Sequence, residues 1–221
     1  MFVTAISIAI DGPAGAGKSS VSRGLAEKLG YIYIDTGAMY RALTLVAIEE
    51  NISPADEIML AERLSDMDIR LESAGIYIGQ RDVSDEIRTP EVSALVSEVC
   101  AHSKVRREMV ERQRQMAIEG GIVMEGRDIG SVVLPNADLK IFLTANSRIR
   151  AIRRAKQLEA AGIASDIDRI EKEIITRDHK DSTRKDSPLM RAEDAIVHDD
   201  SDETLEESIQ NLFMLAKKHG A

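Results

Sequence analysis

Aromatic residues make up only 3% of this 221-residue chain, and there is no tryptophan. Any core must therefore be built from aliphatic side chains. Cys100 is the single cysteine, which excludes an intrachain disulfide and fits a reducing, cytoplasmic location. No apolar run approaches the roughly 20 residues needed to cross a bilayer, so no membrane partner is expected. The first ten residues lack a basic leader and run straight into Asp11 and a glycine-rich loop. They read as a strand and not as a signal peptide. Positive charge is also short: 29 Lys and Arg stand against 38 Asp and Glu, a net charge of −9. That balance is a poor match for binding a nucleic acid polymer. His102, His179, His198 and His219 show no metal-ligand spacing, and no Ser-His-Asp signature is present. Internal repeats and low-complexity linkers are absent too. The length fits one core domain with room for an inserted lobe, and a monomer is expected.

What is present begins at Gly12-Pro13-Ala14-Gly15-Ala16-Gly17-Lys18-Ser19. This is G-x-x-x-x-G-K-[ST], the phosphate-binding loop of nucleoside triphosphate enzymes. Glycines let the backbone curl so that successive N–H groups face phosphate oxygens. The following helix adds its positive end. Lys18 can reach the terminal phosphates, and the Ser19 hydroxyl can take one place on Mg²⁺. The setting is right as well. Ala5 to Ile10 is a short apolar run ending at Asp11, and Val21, Leu25, Ala26 and Leu29 follow at helical spacing before Gly30.

Further strands are expected at Tyr31–Asp35, Gly121–Glu125, Asp138–Thr144 and Ala195–His198. Helices are expected at about 38–50, at 52–64 beginning near Ser53-Pro54, and from Thr89-Pro90 to about Glu119 with a break near His102-Ser103. Others are expected from Ser147 to about Ala160, from Ser165 or Asp166 onward, and from Leu205 to Lys218. Residues 67–88 read as an antiparallel hairpin turning at Ser73-Ala74-Gly75. Five short apolar strands separated by helices predict a five-stranded parallel sheet covered on both faces, an α/β three-layer P-loop fold. Ligands in such sheets sit beyond the carboxyl ends of the strands. Asp35, Arg41, Glu125, Arg127 and Asp128 fall there, with Arg41 in the first turn of the second helix.

Charge is unevenly spread. Residues 148–191 carry a local balance of +4, while residues 193–207 hold eight acids and no Lys or Arg, simply read as soluble surface. Ile167, Ile170 and Ile174 make an inward stripe whose continuation is Arg177, Asp181 and Arg184. Two readings stay open: an Arg–Asp–Arg ladder on a solvated helix end, or charges that meet a polyanion. Arg150, Arg153, Arg154 and Gln157 are likewise either a wet basic face or a mobile lid hinged at loops such as Ala161-Gly162. Arg127 can clamp a phosphate bidentately. Asp128 can pair with it or read a base edge. Arg41, Arg127 and Arg184, if they converge, make a site for a second phosphate.

Four segments carry a resemblance to a known family: GPAGAGKSS (12–20), DTGAMYR (35–41), EGRDIGSVVLP (125–135) and RDHKDSTRKDSPLMRAEDA (177–195). Together they resemble bacterial cytidylate kinases, in order and over nearly the whole chain. The resemblance implies a nucleoside monophosphate kinase with a monophosphate-binding insert at about 63–100 and a lid at about 148–165. It implies transfer from ATP to CMP or dCMP with Mg²⁺. The ATP set is then Gly12, Pro13, Ala14, Gly15, Ala16, Gly17, Lys18, Ser19 and Ser20, with Arg153 and Arg154 of the lid. Ser19 holds Mg²⁺ together with waters. The CMP set is Thr36, Arg41, Ser97, Arg106, Arg127, Asp128, Arg177, Asp181 and Arg184. Lys18, Arg127, Arg153 and Arg184 act on the transferring group. Glu125 stands where some relatives have aspartate, which leaves its contact to Mg²⁺ open. Cytosine's exocyclic amine suits a carboxylate such as Asp128, with Ser97 and Arg106 for the rest of its pairing edge. Uracil presents a carbonyl there, which a fixed aspartate repels.

Two other readings compete. One is a kinase for another small acceptor, such as UMP, AMP or a metabolite alcohol. The other is a GTP-binding switch, which lacks support because Ala145-Asn146-Ser147-Arg148 is not a guanine-reading N-K-x-D motif.

Overall fold

The computed structural model describes residues 5–72, 75–160 and 162–221. Ser73 and Ala74 of the expected hairpin turn, and Ala161 of the expected hinge, lie outside the described residues. The chain packs as two compact units, residues 5–33 with 120–221, and residues 34–119.

The first unit is built on a parallel sheet in the order β2 (Ile32–Asp35), β6 (Ile122–Gly126), β1 (Ser7–Asp11), β7 (Leu139–Thr144), β8 (Ile196–Asp199). All five strands fall, to within two residues, where short apolar runs predicted them. β1 lies between β6 and β7, and its register sets Asp11 beside Gly126. The loop after β1 therefore sits next to the segment after β6. Helices α1 (Lys18–Leu29), α6 (Ser147–Ala160), α7 (Ile167–Thr183) and α8 (Leu205–Lys218) belong to this unit. Gly30 ends α1 in the left-handed conformation, its N–H donating to the carbonyls of Ala26 and Glu27. Asp166 starts α7 by accepting the N–H groups of Asp168 and Arg169. Thr204 and Glu207 close a reciprocal capping box on α8. The core is aliphatic, as the composition required: Ile8, Ile10, Leu25, Val123, Ile141, Leu143 and Leu212 are buried, with Tyr31, Tyr33 and Phe213 only at its edge.

The second unit contains α2 (Thr36–Glu49), α3 (Glu57–Ser65), α4 (Pro90–Val99) and α5 (Ser103–Met116), with strands β3 (Ile69–Glu72), β4 (Gly75–Ile78) and β5 (Arg81–Asp82). Its core gathers Met39, Leu43, Leu60, Leu64, Ile87, Val96 and Met109.

Several boundaries differ from expectation for local reasons. The second helix starts at Thr36 and not Ala38, because the Asp35 carboxylate caps it by accepting the Ala38 N–H at 3.0 Å. Arg41 is thereby in the second turn and not the first. The third helix starts at Glu57, since Asp56 caps it through the Met59 N–H. The hairpin gains a two-residue third strand and becomes a three-stranded antiparallel sheet, β3-β4-β5. The expected break near His102 is present between α4 and α5, and α5 stops at Met116. After β6 the chain makes a π-helical turn over Ile129–Val133 that no periodicity announced.

Candidate active site

The loop between β1 and α1 is shaped by glycine. Gly15 and Gly17 have φ of 73° and 86°, a region that side chains rarely enter. A Cβ on Gly12 would stand 1.9 Å from the Leu143 carbonyl oxygen on β7. Gly12→Ala is accordingly expected to lower stability in urea by about 2–4 kcal/mol and to weaken ATP binding at least about tenfold. Denaturation and calorimetric titration would check both. Helix α1 begins at Lys18 with no side-chain cap, so its first N–H groups remain available to an anion.

Lys18 is buried, and its ammonium donates to the carbonyls of Gly12 (2.9 Å) and Pro13 (2.8 Å). Burial, and then the nearby Arg127 charge, lower its pKa to about 7, with Glu125 and Asp11 pulling the other way. Asp11, also buried, accepts the N–H groups of Ile129 and Gly130, each at 2.7 Å. It thus stitches the end of β1 to the π-helical turn. Burial raises its pKa to about 6 against those two hydrogen bonds. Glu125, buried on β6, accepts the Tyr33 hydroxyl.

Two ion pairs stand beyond β6. Arg127 donates to Asp181 at 3.2 Å, and Arg184 lies 3.7 Å from Asp128. Asp128, Asp181 and the Arg184 side chain are all nearly sequestered from solvent. Arg184 is not on the helical stripe, as its spacing suggested. α7 ends at Thr183, and Arg184 takes an extended conformation with ψ of 147°. The stripe ends at Asp181, which reaches across to Arg127.

The basic helix α6 divides into separate roles. Arg153 donates to the Asp200 carboxylate and to the Asp200 carbonyl, both at 2.8 Å. A Cβ on Gly17 would lie 3.6 Å from both groups, so this pair borders the loop. Asp200 is 2% exposed, and burial raises its carboxyl pKa. The acidic stretch 193–207 is therefore not all surface. Arg154 is exposed and donates to Gln157. Arg150 is buried, a correction to the wet-face reading of that residue.

In the second unit, Thr36 is buried at the start of α2. Arg41 donates to the Ile87 carbonyl (3.1 Å) and to the Ser93 hydroxyl (2.9 Å). Ser97 is half-buried one turn beyond Ser93 on α4. Arg106 is buried, donates to the Cys100 carbonyl at 3.3 Å, and stacks its guanidinium 5.6 Å from the Tyr40 ring.

The profile of the cytidylate kinase family matches residues 8–218. The chain belongs to this family. A cytidylate kinase from Listeria monocytogenes serotype 4a is 49% identical over 215 residues, 96% of each chain. Cytidylate kinases from Exiguobacterium sibiricum (47%, 96% of this chain and 97% of the relative) and Bacillus cytotoxicus (46%, 96% of each) are also similar. Among solved structures, an uncharacterized protein from Eubacterium ventriosum aligns with a TM-score of 0.55 at 10% identity, covering 96% of this chain and 98% of that one. A shikimate kinase from Bacteroides thetaiotaomicron aligns with a TM-score of 0.50 at 16% identity, with the same coverage. Those two likenesses establish the fold alone.

The donor groups for a metal are sparse. Among the described residues no cluster of His, Cys, Asp or Glu could hold an ion unaided. The oxygen donors at hand are the exposed Ser19 hydroxyl and the Asp11 and Glu125 carboxylates, whose charges both reach Lys18. Such hard donors fit Mg²⁺, which keeps several waters and takes phosphate oxygens from its substrate. Four side chains that contact candidate residues were not singled out from sequence: Tyr33 beside Glu125, Asp178 beside Arg150 and Asp200 beside Arg153 in the first unit, and Ser93 beside Arg41 in the second. Asp178 carried a faint signal, as an acid directly after Arg177 on a helix whose inward face turns polar.

Proposed function

We propose that the chain transfers the γ-phosphoryl group of ATP to CMP or dCMP, giving ADP and CDP or dCDP. The observation that carries this reading is that β1 and β6 end side by side, so the phosphate loop leaves the sheet next to the segment that bears Arg127 and Asp128, which pair with Asp181 on α7 and Arg184 just past it. ATP is bound by residues 12–20, with Arg153 and Arg154 from α6. An oxygen of the CMP phosphate attacks the γ-phosphorus, and the bond to the bridging oxygen breaks with its electron pair passing to ADP. Charge then spreads over the equatorial oxygens of a loose transition state. Lys18, Arg127, Arg153 and Arg184 stabilise that charge in a site from which water is excluded. Arg127 and Arg184 hold the acceptor phosphate, and Arg177 and Asp181 its sugar. Asp128 accepts the cytosine amine. Thr36, Arg41, Ser97 and Arg106 complete the CMP set. Arg41 is held ready by Ile87 and Ser93, and Arg106 by Cys100 and Tyr40. Mg²⁺, held by Ser19 with waters, would neutralise charge on the β- and γ-phosphates. Residues at about 63–100 serve as the monophosphate-binding insert and those at about 148–165 as a lid. The lone cysteine supports a cytoplasmic setting.

ADP release from ATP, measured with CMP, dCMP, UMP, AMP and shikimate, tests the reading. CMP and dCMP are expected to exceed the others by at least about tenfold in kcat/KM, since a mismatched base edge leaves buried polar groups without partners. Equal rates with CMP and UMP would remove Asp128 as the reader of the amine.

A further inference from the structure

Ala14 lies in the middle of the phosphate loop, and both of its backbone polar groups are engaged from outside the loop. Its N–H donates to Asp178 Oδ1 at 2.9 Å. Its carbonyl accepts from Arg150 Nη1 at 2.8 Å. The same Nη1 also pairs with Asp178 Oδ2, while Arg150 Nε donates to the Ala145 carbonyl at 2.9 Å. The Arg150 and Asp178 side chains are only 9% and 19% exposed. A Cβ on Gly15 would meet Arg150 Cβ at 3.4 Å and Ile174 Cδ1 at 3.6 Å, so α6 and α7 back the loop directly.

We propose that Arg150 and Asp178 are positioning residues that fix the phosphate loop in its phosphate-accepting curl and tie it to α7, the helix that carries Arg177 and Asp181. The physical need is clear from composition. A loop with glycines at 12, 15 and 17 has little rigidity of its own, and ordering its backbone costs conformational entropy. Charge-assisted bonds to Ala14 meet part of that cost before ATP arrives, which is preorganisation. The pair must also stay balanced. A carboxylate beside a triphosphate repels it, and Arg150 cancels that charge. The two residues therefore have unequal consequences. Loss of Asp178 loosens the loop, whereas loss of Arg150 leaves a bare negative charge next to the ligand.

This inference rests on the reading of the loop as the ATP site, so the test measures ATP binding by calorimetry without CMP, alongside steady-state KM for each substrate. Asp178→Ala is expected to raise the ATP Kd and KM about tenfold and lower kcat by about 10- to 100-fold, with the CMP KM within about twofold. Asp178→Asn keeps an acceptor for the Ala14 N–H and should recover most of this. Arg150→Met should weaken ATP binding at least about tenfold, and adding Asp178→Asn should restore part of it. A folded Asp178→Ala protein with unchanged ATP Kd and KM would overturn the proposal, as would losses that follow only the fraction of folded enzyme. If Asp178→Ala does not fold, the Arg150 pair of variants decides: recovery in the double variant supports the proposal, and equal Kd values overturn it. Failure of the wild-type protein to phosphorylate CMP would overturn the function reading alone, because the ATP Kd series stands apart from turnover.

Discussion

A Lys18→Met protein is expected to keep its fold and lose about 10²- to 10³-fold in kcat/KM, the range for removing one preorganised donor from a developing anion. Methionine matches the stem of lysine, so packing is preserved. The substitution removes a buried charge that the fold holds at a cost, and it also removes the donor to the Gly12 and Pro13 carbonyls. These effects oppose each other, and the urea midpoint should move little. Steady-state kinetics and urea titration check the two halves, and wild-type turnover would exclude Lys18 from the reaction. The pH dependence is specific. The folded pKa of Lys18 is lowered from 10.5 to about 7, so between those values the unfolded chain binds more protons than the folded one. Stability from this group therefore rises with pH across that window, and the full cost is felt below about pH 7. Lys18→Met should flatten that rise. For the same reason ATP should bind with proton uptake at pH 8, visible by calorimetry in buffers of different ionisation enthalpy, and the uptake should vanish in the variant.

Arg184→Ala is expected to lower kcat/KM for CMP by about 10²- to 10³-fold while leaving the ATP KM within about twofold. The split follows from position. Arg184 stands beside Asp128 past the end of α7, whereas the phosphate loop has its own set of donors. Removing the cation near a buried carboxylate should cost up to about 3 kcal/mol of stability. Arg184→Lys separates the two effects, because it restores charge but not the planar fork that grips a phosphate. It should recover the urea midpoint far more than the activity. Normal turnover by a folded Arg184→Ala protein would make the Arg184–Asp128 pair a purely structural contact.

Much of this molecule is legible from spacing. The loop is written in its glycines, because glycine adopts φ of 73° and 86° at the least cost. The strands are written in apolar runs, and α4 in Thr89-Pro90. What stayed hidden depends on atoms brought from elsewhere in the chain. Arg150, Arg153 and Arg154 look equivalent on one basic helix, yet only the three-dimensional fold sets Arg150 under Ala14, Arg153 on Asp200 and Arg154 in solvent. Arg184 continued the arithmetic of a helix that stops one residue before it. Asp35 read as a ligand-facing acid because a cap and a binding residue have the same composition. The π-helical turn after β6 leaves no periodic trace, since the buried Asp11 carboxylate, at the end of the neighbouring strand β1 and remote in sequence, stabilises it.

The Arg153–Asp200 contact has a bearing on selectivity. Asp200 offers that guanidinium a carboxylate and a carbonyl, a built-in imitation of a phosphate. In the reading of Arg153 as an ATP ligand, every incoming molecule competes with this internal rival. On that reading a ligand engages Arg153 only by displacing Asp200, so the charge it carries bears on whether this contact opens.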